Sequence, residues 1–163
     1  MPLNQTEIAI LKIIGDRAFS NQSDRPGLKG VRAAALLQNI SQEDTDNALI
    51  ILDEQNCLTA DLGPASGQIE LLTHGFEEYA IVNVLNYEQL LHKIGELIRD
   101  TPMVAVQVLT DDLHCSSYLA DHLLDVLEAK GRIRVGMFID TKRRVIVVHP
   151  KLNEWLNAAA GDA

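Results

Sequence analysis

The chain has 163 residues, 47% apolar and 23% charged, with a net charge of −9 and a sequence pI near 4.9. That composition suits a folded core in one large or two small domains and excludes wholesale disorder, while the acidic balance excludes a generally basic nucleic-acid binder but not a local basic patch. Aromatics at 4% argue against base-stacking platforms, and no apolar run reaches membrane-spanning length. The opening residues show no signal-peptide pattern, and two cysteines, Cys57 and Cys115, make no disulfide framework. A reducing cytoplasm, with no membrane contact, is the expectation.

The first predicted helix runs roughly from Gln5 to Ala18. Its apolar positions Ile8, Ile10, Leu11, Ile13 and Ile14 exceed a single stripe, which predicts burial on more than one side. Residues 20–30 are a loop by composition, followed by a short helix near Val31–Leu37. Ser41 caps a third helix to about Gln55, with Thr45, Ala48, Leu49 and Leu52 facing inward. Two short strands, 58–62 and 68–72, flank Gly63-Pro64-Ala65-Ser66-Gly67, which reads as a hairpin turn. Thr73 is the expected cap of a connecting helix over about 73–85, apolar nearly all round, sandwiched between two domains or in a dimer interface.

The second half follows the same order. Asn86 opens a helix to about Arg99, with Gln89 placed for a capping-box contact. An apolar segment from Pro102 reaches Leu113, and His114-Cys115-Ser116 is a tight turn. The next helix, 117–130, turns Ala120, Leu123, Leu124 and Leu127 inward. Strands 133–139 and 144–148 are joined by 140–143, and a last helix, 151–159, carries Trp155. The halves align at an offset of 75: ALIILDEQNCL (48–58) against LLDVLEAKGRI (123–133). Asn56 then stands opposite Gly131, the two residue types that most readily close a helix in the left-handed conformation.

Three helices and a two-stranded hairpin, given twice, resemble the winged helix-turn-helix plan. The residues that carry the likeness are LLQNISQEDTDNALIILDEQNCL and IELLTHGFEEYA in the first half and LTDDLHCSSYLADHLLDVLEAKGRIRV in the second. The resemblance implies an α+β, mainly helical fold of two tandem winged-helix domains, 1–83 and 84–163. It also implies either a DNA-binding regulator or a protein-binding scaffold, since the superfamily contains both.

Charge separates those two readings. Residues 1–83 carry five Lys/Arg against twelve Asp/Glu, and 84–163 carry nine against eleven. Within the second half, residues 130–144 hold six cations and Asp140 alone. The DNA reading places phosphate contacts on the second wing through Arg132, Arg134, Lys142, Arg143 and Arg144, with Tyr118 and His122 on the exposed helix face. Arg25, Lys29 and Arg32 form a smaller candidate island, and all of these residues have a solvated-surface alternative. The scaffold reading recruits a basic protein partner through Glu43, Asp46, Ile50, Asp53 and Glu54, where acids would repel phosphate. A homodimer through the terminal helices is the added expectation. No Gly-rich phosphate loop precedes a helix, no metal-ligand spacing occurs, and nothing arranges Ser, His and Asp as a triad. The expectation is a non-enzymatic regulator of transcription, without catalytic residues, metal or cofactor.

Overall fold

The computed structural model describes residues 2–63, 67–101, 103–140 and 142–161. Among them are eight helices and four strands: α1 (Gln5–Asn21), α2 (Leu28–Leu37), α3 (Gln42–Glu54), β1 (Leu58–Asp61), β2 (Gln68–Leu71), α4 (Thr73–Asn83), α5 (Tyr87–Asp100), α6 (Val106–Leu113), α7 (Ser117–Ala129), β3 (Ile133–Met137), β4 (Arg143–Val148) and α8 (Pro150–Gly161). The fold is α+β and mainly helical, with each strand pair a separate antiparallel sheet. The chain divides into two units, Met1–Val84 and Leu85–Ala163. No helix among the described residues is long and apolar enough to cross a membrane.

In the first unit, α1 starts on a capping box. The Asn4 side chain accepts from the Thr6 and Glu7 N–H groups, and the Glu7 carboxylate accepts from the Asn4 N–H. Two orphan donors of the first turn are thereby satisfied. Ile10, Leu11, Ile13, Ile14 and Ala18 are buried, whereas Ile8 is half exposed. Helix α4 packs on α1 through Tyr79, which lies so close over Gly15 that any Cβ there would overlap the ring. Its hydroxyl donates to Asp16 at 2.8 Å. Gly75 plays the same part at the other end of α4, where a Cβ would strike the Cys57 carbonyl.

The middle of each unit is built alike. Ser41 and Ser116 cap α3 and α7, accepting from Asp44 N–H and Leu119 N–H. Asn39 and His114, just before them, both have left-handed φ, near 60° and 51°. Asn56 and Gly131 close the two helices at φ 57° and 66°. Cys57 N–H then donates to the Leu52 carbonyl, and Arg132 N–H to that of Leu127. The inward faces Thr45, Ala48, Leu49, Leu52 and Ala120, Leu123, Leu124, Leu127 are all buried. Asp53 accepts from the Ala60 N–H at 2.9 Å, and Glu128 from the Val135 N–H at 2.7 Å. Each helix thus spends a carboxylate on a strand N–H group that its hairpin leaves over.

The hairpins pair Leu58 with Leu71 and Ile133 with Val148, the second with a register shift between Arg134 and Val135. Isolated bridges Gly27–Gln68 and Ala105–Arg144 add a short third segment to each.

Some local expectations are corrected. Thr73 is the first residue of α4 and its cap is Leu72, without a side-chain hydrogen bond. Asn86 caps α5 in the left-handed conformation, again with no side-chain bond, so the Gln89 capping box does not form. Helix α4 is not buried all round within its unit: Phe76, Tyr79 and Ala80 are buried, while Ile81 and Val82 face solvent. The expected turn residues Pro64, Ala65 and Ser66 lie outside the described residues.

Candidate functional site

The cations of the second wing are placed unequally. Arg143 is fixed: its Nη1 donates to Asp121 at 2.9 Å and its Nη2 to Asp125 at 2.5 Å, both on α7. Burial works against its charge, and the two carboxylates outweigh this and hold its pKa above the ordinary value. Arg144 pairs with Asp140 at 2.6 Å and lies over the Phe138 ring. Arg132 stacks on Trp155, 3.9 Å from the ring centroid. Arg134 and Lys142 are exposed. Tyr118 and His122, expected on an exposed helix face, are instead buried against each other with ring centroids 4.5 Å apart.

In the first unit, Arg25 meets Glu70 at 3.2 Å, and Arg32 grips both oxygens of Asp46 at 2.8 and 2.9 Å. Lys29 is exposed. Asp46 and Asp53 are therefore engaged inside the fold, while Glu43 and Glu54 are exposed and Ile50 is about half so, at 47%. Arg25, Arg32, Arg143 and Arg144 of the basic candidates, and Asp46 of the acidic ones, are thus in ion pairs within their own units.

The second unit contains a groove of about 380 Å³ lined by Ala105, Val106, Gln107, Asp121, Met137, Lys142 and Arg143. That volume is at the lower end of small-molecule sites, which run from roughly 300 to 1,000 Å³. Ala105, Val106 and Met137 give it an apolar wall. The polar side gathers an amide (Gln107), a carboxylate (Asp121) and two cations (Lys142, Arg143). Residues 105–107 are also the start of α6, whose cap Ala105 offers no side-chain bond. The first N–H groups of a helix have no partner inside it and favour an anion. Lys142 is exposed and makes no ion pair among the described residues. Chemically, the groove can take an anionic group at Lys142 and the start of α6, and can present a carboxylate to what the anion carries.

Lys142 and Arg143 are in the groove, as are none of Arg132, Arg134 and Arg144. Gln107 and Met137 had no signal in the sequence, since they come from elements about thirty residues apart. Asp121 had one: at the offset of 75 it stands opposite Asp46, and each is held by an arginine.

No family model matches the chain. It is similar to ribose-5-phosphate isomerase A of Lactiplantibacillus plantarum, 28% identical over 160 residues. The match covers 93% of this chain, and the chain spans 66% of that protein's length.

This similarity overturns the functional expectation. The relative is named as an isomerase, which speaks for an enzyme and against a non-enzymatic protein. The reading as a DNA-binding regulator of transcription, and its alternative as an interaction scaffold for a basic partner, are corrected accordingly. The physical reason that both misled is visible in the ion pairs: Arg143, Arg144, Arg25 and Arg32 answer carboxylates of the same unit. A charge count along the chain registers those residues without their partners.

Proposed function

We propose that this protein is an enzyme of the aldose–ketose isomerase kind, acting on a small phosphorylated sugar held in the second-unit groove. The observation that carries the reading is the 28% identity to ribose-5-phosphate isomerase A along 93% of the chain. The groove supports it by its chemistry. Such an isomerisation shifts a proton from C2 to C1 and another from O2 to O1, with no atom gained or lost. It requires a base near the two carbons, a hydrogen-bonding group at the oxygens and an anchor for the phosphate. In this reading Asp121 acts as the base, Gln107 as the hydrogen-bonding group, and Lys142 with the α6 N-terminus as the phosphate anchor, all of them at the same groove.

As a separate matter of architecture, we propose that each unit is a winged helix, on the order of three helices and a hairpin in both. We place the protein in the cytoplasm, a reading that the free thiols of Cys57 and Cys115 support.

The test is a coupled assay for ribulose 5-phosphate formed from ribose 5-phosphate, on wild type and Asp121→Asn. Turnover in the wild type, with at least a roughly 100-fold loss in the variant, is expected for removal of a general base. No turnover at substrate up to about 1 mM, the upper end of usual KM values, overturns the reading.

A further inference from the structure

We propose that Arg143 and Asp125 are positioning residues: Asp125 anchors the Arg143 fork, and the fork fixes the Asp121 carboxylate at the wall of the groove. This rests on the isomerase reading for Asp121 and adds to it two residues that act through that carboxylate.

Both terminal nitrogens of Arg143 are committed, one to each carboxylate, and the side chain is only 26% exposed. A guanidinium so engaged is a poor phosphate anchor, because a ligand would have to take it from two partners at once. Lys142, its neighbour in sequence, is exposed and makes no ion pair among the described residues. The two adjacent cations therefore divide the work, Lys142 toward the ligand and Arg143 toward the acid. Asp125 is one helical turn beyond Asp121 and does not line the groove. Its carboxylate also lies 4.0 Å from His122 Nδ1, beyond hydrogen-bond distance. Asp125 thus ties the fork to α7.

The first unit supplies an internal control. Its equivalent of Asp121, Asp46, is held by a single arginine, Arg32 from α2. Its equivalent of Asp125 is Ile50, which can anchor nothing. The second carboxylate accompanies the groove.

A carboxylate that must reach two carbons in turn gains from being held in one orientation, and loss of that orientation lowers kcat more than binding. Asp125→Asn leaves Asp121, Lys142 and Gln107 in place. The assay with ribose 5-phosphate should then show kcat lowered about 10-fold with KM within about twofold. Arg143→Lys keeps the charge but loses the fork, and should match that loss. The second readout needs no turnover: nitrogen-15 NMR of the Arg143 guanidinium. Resolved, slowly exchanging Nη signals are expected in the wild type, and averaged signals in Asp125→Asn.

Unchanged kcat together with unchanged Nη signals in Asp125→Asn overturns the proposal, as does a wild-type Arg143 that is already averaged. If the wild type turns over no ribose 5-phosphate while its Nη signals are resolved and the variant's are not, the isomerase reading fails and the bracing of Asp121 stands. Should circular dichroism show Asp125→Asn unfolded, the wild-type Nη signals and Arg143→Lys decide the matter.

Discussion

The two units share a scaffold and differ in what they do with one carboxylate. At an offset of 75 the serine caps, the left-handed helix ends, the buried helix faces and the carboxylate that meets a strand N–H all recur. Asp46 and Asp121 recur as well, yet their arginines arrive from opposite ends of the unit. Arg32 comes from the helix before Asp46, and Arg143 from the hairpin after Asp121. The first arrangement closes an ion pair on the helix surface. The second draws the hairpin onto α7 beside the start of α6, and a groove remains between them. One scaffold thus sets the matching aspartate in a surface ion pair in one copy and at the wall of a groove in the other.

The largest test of this equivalence is in the cores. Leu52→Ala and Leu127→Ala remove fully buried side chains at matching positions. Each should cost about 2–5 kcal/mol in urea unfolding, by a similar amount in both units. A large cost in one and none in the other breaks the equivalence. Next are the helix ends. Gly131→Ala forces a Cβ into a left-handed position and should cost about 1–2 kcal/mol, whereas Asn56→Gly should stay within a few tenths. Thermal melts of the pair read this directly.

A smaller effect concerns the acids. Asp46→Asn weakens a pair whose side chains are only about a quarter exposed and should lower stability by about 1 kcal/mol. It should leave binding of ribose 5-phosphate untouched, which calorimetry can check. The smallest effect is confined to alkaline solution. Burial, then Glu78 and Glu7, push the Cys57 thiol up to about 11 from 9.0. The folded state favours the neutral thiol, so its contribution is fully present below pH 9 and is lost as pH rises toward 11. The equivalent residue in the second unit is Arg132, stacked on Trp155, and carries no thiol to titrate. Cys57→Ala should therefore flatten the decline in stability between pH 9 and 11, whereas Cys57→Ala with no change in that decline would sink the assignment.

Much of the scaffold was legible because its signals are local. Ser41 and Ser116 announce helix starts, Asn56 and Gly131 announce helix ends, and the spacing of Leu49 and Leu52, or Leu124 and Leu127, announces the buried face. The Asn4–Glu7 capping box is equally local, Asn and Glu three residues apart ahead of an apolar run. The groove was not legible, for a physical reason: Gln107, Asp121, Met137 and Lys142 come from four places in the chain and meet only when the hairpin folds back. Arg143 reads as one of a basic run until its partners, 18 and 22 residues earlier, are in view. Charge patterning along a chain finds clusters of one sign. It cannot find a cation that the fold has already matched to acids.

The central claim is that a phosphorylated sugar binds in the second-unit groove. An amide NMR titration of the full chain with ribose 5-phosphate tests it most directly. The account predicts saturable shifts at Val106, Gln107, Asp121 and Lys142, with the first unit silent. Shifts confined to the first unit, or none up to millimolar ligand, would contradict it.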